Sequence, residues 1–196
     1  MAAANAPAVL AFNNAKGLFS DENLRQAVSY ALNYEEFKTY FGSAYAEIPN
    51  RGFVPSTTVG YTDTEKLTTD TAKADEYMKA AGYTEKNADG FYVNADGAAA
   101  AFTLTVNAAK ETHVGYAEMI KTQLEAFGIQ VNLDAVDKDA YNAKTSNKFS
   151  ENNITMEAAI YGYTVAGMGM GNGLGSIYVD GNHACLLYTS DAADDK

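Results

Sequence analysis

The chain has 196 residues and a formal net charge of −11, with 47% hydrophobic and 12% aromatic residues. That is enough apolar matter for a buried core, while the acidic excess repels a phosphate backbone and excludes nucleic acid as a natural partner. No apolar run reaches the roughly 18 to 20 residues a membrane span needs, and the opening MAAANAPAV lacks the charged and apolar regions of a secretion signal.

The first element expected is a short apolar strand over Ala8 to Asn13, followed by the turn-rich NAKGLFSDE. Ser20 is the expected N-cap of a helix with Asp21 and Glu22 in its first turn, and Leu24, Ala27, Val28, Ala31 and Leu32 recur at helical spacing. Arg25 lies within that helix and reads as structural. Asn33 and Glu36 have capping-box spacing for a second, short helix ending at Phe41 and Gly42. The stretch 43–70 carries Pro49, Pro55 and several Gly and Thr, and reads as a long irregular crossing. A third helix is expected from Thr71 to Ala81, stopped by Gly82.

NADG then occurs twice, at Asn87–Gly90 and Asn94–Gly97, on either side of FYV. Asp-Gly supplies positive φ, so both read as turns; the EF-hand alternative needs a 12-residue loop of oxygen ligands ending in Glu, which is missing. FTLTVN at 102–107 alternates as a strand, 111–127 as a helix stopped by Gly128, and 129–136 as a strand with Ile129, Val131 and Leu133 on one face. A short helix at 138–145 and an apolar strand at 154–161 complete the order. Alternating helices and strands predict an α/β fold: a mixed β-sheet flanked by helices.

The chemistry-bearing residues point away from catalysis. His113 and His183 are the only histidines; neither has a second His or Cys at zinc spacing, and His113 reads as an exposed side chain beside a helix start. No nucleophile elbow, Walker lysine or H-E-x-x-H motif occurs. The acid pairs, such as Asp137 with Asp139, stand in polar contexts that a solvated face explains. Neither a metal nor a cofactor is expected.

GYTVAGMGMGNGLG at 162–175 has Gly at every second position from Gly167 to Gly175. The dinucleotide fingerprint fails, because the place five residues after Gly167, Gly169 or Gly171 holds Asn172, Leu174 or Ser176. So many glycines also make a costly strand interior. Two readings stay open: a flexible tip that touches nothing, and a loop whose bare backbone approaches a ligand while methionines provide adaptable apolar contact.

FSDENLRQAVSYALNYEEF at 19–37 resembles the F-x-D-x-x-V-R-Q-A-L-S-Y-A-I-D-R-E segment of the family 5 extracellular solute-binding proteins, the oligopeptide, dipeptide and nickel-type receptors of ABC importers. Further similar pieces follow in the family's order: GSAYAEIP then GFVP, AKADEYMKAAGY, a DG hairpin before FTLTVN, and IKTQLEAFGIQVNL. Leu24 stands where the family pattern has Val, and Asn33 where it has Asp.

The resemblance implies one lobe of a two-lobed, type II periplasmic-binding-protein-like receptor that is not an enzyme. Residues 1–184 would form most of the second lobe, with the first lobe and a signal peptide outside the given chain. The expected role is to deliver a peptide or similar small solute to the transmembrane subunits of an ABC importer, from the periplasm or as a cell-surface lipoprotein. The cleft segment after the last strand corresponds to the glycine run, so the expected ligand contacts are Tyr163, Met168, Met170 and Asn172, with Tyr45 and Asn107 from neighbouring loops. The run has no acidic residue to hold a peptide's α-amino group. The two alternatives are a small α/β hydrolase or transferase using carboxylates, and a cell-surface adhesion module. The last stretch, CLLYTSDAADD at 185–195, matches the translation of a transposase-sequencing adapter, so 185–196 is expected to be non-native; it contains the single cysteine, Cys185.

Overall fold

In a computed structural model, the structure describes residues 8–42, 46–50, 62–145 and 154–162. The elements run in the order β1 (Ala8–Phe12), α1 (Glu22–Ala31), α2 (Tyr34–Phe41), α3 (Thr71–Ala80), β2 (Glu85–Lys86), β3 (Tyr92–Val93), β4 (Ala101–Asn107), α4 (Glu111–Phe127), β5 (Gln130–Val136), α5 (Lys138–Thr145) and β6 (Ala158–Gly162). The main sheet has the order β1-β6-β4-β5. β4 is parallel to both β5 and β6, whereas β1 runs antiparallel to β6. The mixed sheet flanked by helices is the architecture the alternation of elements predicts.

Local chemistry explains most boundaries. Asp21, not Ser20, caps α1: its carboxylate accepts the Asn23 N–H at 2.7 Å. The Ser20 hydroxyl instead donates to the Gly17 carbonyl at 2.8 Å, across the 3-10 turn Leu18–Ser20. The expected Asn33 cap of α2 forms, with Asn33 Oδ1 accepting from Glu36 N, but the reciprocal half of the capping box does not: Glu36 Oε1 accepts from the Asn33 side-chain amide at 2.9 Å, while the Asn33 backbone N–H donates to Gln123 Oε1 at 2.9 Å. Both NADG sequences make turns in which the Asn side chain accepts two backbone N–H groups: Asp89 and Phe91 for Asn87, Asp96 and Ala98 for Asn94. Gly90 and Gly97 hold φ of 87° and 77°, a region open to glycine at no steric cost.

The two faces of the sheet carry different cores. On one, Phe12, Phe102, Leu104, Val106, Val131 and Ile160 pack against Leu24 and Val28 of α1, Met78 of α3, and Ile120 and Leu124 of α4. The rings of Phe12, Phe19 and Phe102 form its aromatic centre, with neighbouring centroids 4.2 and 4.8 Å apart. On the other face, Ala11, Ala159, Ile154 and Met156 pack around Tyr141 of α5, whose hydroxyl donates to the Ile160 carbonyl at 2.7 Å.

Two further expectations need correction. The last strand is shorter than 154–161: Ile154 and Met156 precede β6 and serve the second core, and only Leu104 and Thr105 of β4 pair with it. Leu133 shares a face with Val131, yet it is 36% exposed because β5 is an edge strand and the core ends before reaching it. Arg25 is structural as read, but more buried than a surface helix residue, and its guanidinium donates to the Phe19 carbonyl at 2.8 Å.

Candidate functional site

Where strands lie parallel, their carboxyl ends share one edge, and ligands of open α/β sheets bind outside that edge where the strand order reverses. Here the order reverses about β4, which has β5 on one side and β6 on the other. The edge is therefore formed by Asn107, Val136 and Gly162, the last residues of β4, β5 and β6. The first turn of α4 rises beside it. From Gly162 the sequence passes directly into Tyr163 and the glycine-methionine run.

Asn107 is the one expected contact among the described residues; Tyr45, Tyr163, Met168, Met170 and Asn172 lie outside them. Asn107 is buried, and its side-chain oxygen accepts the Ala109 N–H at 3.0 Å while its carbonyl accepts from Lys110 N, also at 3.0 Å. This is an Asx turn joining β4 to α4. The residue holds the shape of the edge with that oxygen already engaged.

His113 is the residue that reading the sequence misjudged. It is half-buried in α4 rather than exposed, and its Nε2 stands 3.2 Å from the place a Cβ on Gly162 would occupy, with Lys110 Nζ 3.8 Å from that place. A side chain at 162 would collide with the imidazole unless it moved. Burial, and then the charge of Lys110, hold the His113 pKa below its ordinary value, against a hydrogen bond with the Ile160 backbone that favours the charged form. Burial thus favours the neutral ring, and its Nδ1 is buried with no hydrogen-bond partner among the described residues. Only the tertiary juxtaposition of α4 with the end of β6 carries this signal.

A concavity of about 420 Å³ lies on the α5 face, lined in part by Lys16, Thr103, Thr105, Asp134, Lys144 and Glu157. Its polar groups are largely spoken for. Lys144 pairs with Asp134 at 2.5 Å, Thr105 Oγ1 donates to Asp134 at 3.2 Å, and Glu157 accepts the Thr103 N–H at 2.7 Å, extending the short β4-β6 ladder by a side chain. Groups already paired offer a ligand little, so the carboxyl edge is the better candidate. Among the described residues no group of three His, Cys, Asp or Glu side chains is close enough to hold a metal ion, and no helix is long and apolar enough to cross a membrane.

Comparisons agree with this architecture. Residues 2–176 match the family model described as bacterial extracellular solute-binding proteins, family 5 middle. The oligopeptide-binding protein AppA of Bacillus subtilis is 26% identical over 136 residues, covering 67% of this chain and 24% of AppA. Its structure in complex with a nonapeptide superposes with a TM-score of 0.72 at 24% identity, over 83% of this chain and 32% of that one. NikA of Brucella suis, in complex with Fe(III)-EDTA, gives 0.73 at 18% identity over 88% and 33% of the two chains. The chain thus spans between a quarter and a third of the length of these relatives, and it belongs to the family 5 bacterial extracellular solute-binding proteins.

Proposed function

We propose that residues 1–184 are most of the second lobe of an extracytoplasmic receptor that captures a peptide or similar small solute and presents it to the transmembrane subunits of an ABC importer. Residues 185–196 are not native in this reading. The observation that carries it is the convergence of Asn107, Val136 and Gly162 on one carboxyl edge, from which the glycine-methionine sequence departs. AppA was solved with a nonapeptide and NikA with Fe(III)-EDTA, so the fold alone does not select the ligand, and the side chains at the edge must. Tyr163, Met168, Met170 and Asn172, with Tyr45 and Asn107, are the proposed contacts; Asn107 also shapes the turn between β4 and α4. Two lobes closing on a solute exclude water and bury it reversibly, which requires neither a nucleophile nor a cofactor. Periplasmic or cell-surface placement, with a signal peptide and a first lobe encoded upstream, belongs to the same proposal.

Calorimetry on two forms of the protein tests it. A single lobe supplies about half the contacts, and at about 1 kcal/mol per lost buried hydrogen bond and 1.4 kcal/mol per factor of ten, affinity falls by orders of magnitude. The isolated chain should give no submicromolar heat signal with a mixed library of short peptides, and the receptor restored with its first lobe should. Nanomolar binding by the isolated chain refutes the half-receptor account.

A further inference from the structure

Among the described residues the sheet ends at β5, whose outer side has no partner strand there. Gln130 N donates to Ala100 O at 2.9 Å, and Val136 O accepts from Ala108 N at 2.8 Å. In a parallel ladder successive residues face opposite sides, so the even-numbered residues of β5 bond β4 and the odd-numbered Val131, Leu133 and Ala135 aim their N–H and C=O groups outward. An open apolar edge of this kind is a template for another strand.

One third of that edge is closed by side chains. Lys121 of α4 reaches over it and donates to the Val131 carbonyl at 2.7 Å, while Glu125 Oε1, paired with Lys121, accepts the Val131 N–H at 3.4 Å. A donor and an acceptor one helical turn apart thereby occupy both outward groups of one residue. We infer that Lys121 and Glu125 guard the open edge of β5 against pairing with the β5 of a second copy of this chain.

The self-pairing they prevent is well defined. An antiparallel pair centred on Leu133 sets Val131 against Ala135 of the copy, Leu133 against Leu133, and Ala135 against Val131, so the interface is two-fold. Asp134 then opposes Asn132, and no like charges meet. Two of these three pairs require the backbone groups of Val131, so engaging that one residue leaves too short a ladder to hold two chains.

The test is a charge swap, Lys121→Glu with Glu125→Lys, which keeps an ion pair four residues apart on the helix but sets an acceptor against the carbonyl and a donor against the N–H. Sedimentation velocity should show the unaltered chain as a monomer and the swapped chain gaining a concentration-dependent species of twofold mass. The Val131 amide should exchange about tenfold faster in the swapped monomer, the loss expected for one hydrogen bond. Adding Ala135→Pro, which removes an outward N–H at an edge where proline is tolerated, should return the swapped chain to a monomer. If the swap does not fold, Lys121→Met with Glu125→Gln is judged by the same outcomes. A folded variant that stays monomeric, an association that survives Ala135→Pro, or an unaltered chain that already dimerises overturns the guard.

Discussion

Gly115 lies inside α4, where glycine is a poor helix former, and the structure gives a reason for it. A Cβ built there would fall 1.8 Å from the Tyr40 hydroxyl and 2.5 Å from its ring carbon. Tyr40 comes from the end of α2, is 48% exposed, and meets Tyr116 edge-on at 5.4 Å. Gly115→Ala therefore has two opposed effects. Replacing glycine by alanine in a helix interior stabilises by about 0.8 to 1.0 kcal/mol. Expelling the tyrosine from its notch loses an aromatic contact of about 0.5 to 1.5 kcal/mol. The two nearly cancel, and because Tyr40 is a side-chain tip near solvent, the ring swings out without disturbing the core. In a Tyr40→Ala background there is nothing to expel, so the same substitution should stabilise by the full helical term of about 0.8 to 1.0 kcal/mol. Urea denaturation of the four chains, compared at a common slope, yields the coupling directly, expected to be about 1 kcal/mol. If Gly115→Ala stabilises both backgrounds equally, to within about 0.3 kcal/mol, Tyr40 does not occupy the notch and the reasoning fails.

Leu124 is fully buried between α4 and the sheet, so Leu124→Ala should cost about 2 to 5 kcal/mol; a shift in unfolding free energy under about half a kcal/mol contradicts its place in the core. The folded-state pKa of His113 lies below its unfolded value near 6.5. The unfolded chain therefore binds the extra proton first, and stability is lost as pH falls from about 6.5 towards the folded pKa. Unfolding free energy should thus fall more steeply between pH 7 and 5 for the unaltered chain than for His113→Gln, and parallel curves contradict the burial of the ring. In the restored receptor, Met168→Asp with Met170→Asp should weaken binding of apolar solutes, because the proposed contacts would then put charge where a closing cleft excludes water; unchanged affinity moves the contacts elsewhere.

Local features were legible in the sequence because the interactions that make them span only a few residues. The Asn33 cap on Glu36 N, the two NADG turns and the seventeen-residue helix α4 each depend on spacing within one or two turns of chain. The periodicity of Leu24, Val28, Ile120 and Leu124 likewise announced buried faces, and all four are buried. The family resemblance was legible for a related reason: the order of several short segments survives substitutions within each. What the sequence could not determine depends on which elements become neighbours. Ser20 and Asp21 are both good caps, and the turn at Gly17 decided between them. Leu133 has the pattern of a core residue but lies on an edge strand. The burial of His113, the notch at Gly115 and the clasp on Val131 each require α4 to meet an element remote in sequence or a particular strand edge. Periodicity tells which side of a helix is apolar; only packing decides what stands beside the rest of it, because that choice is made by contacts between whole elements and not by neighbours along the chain.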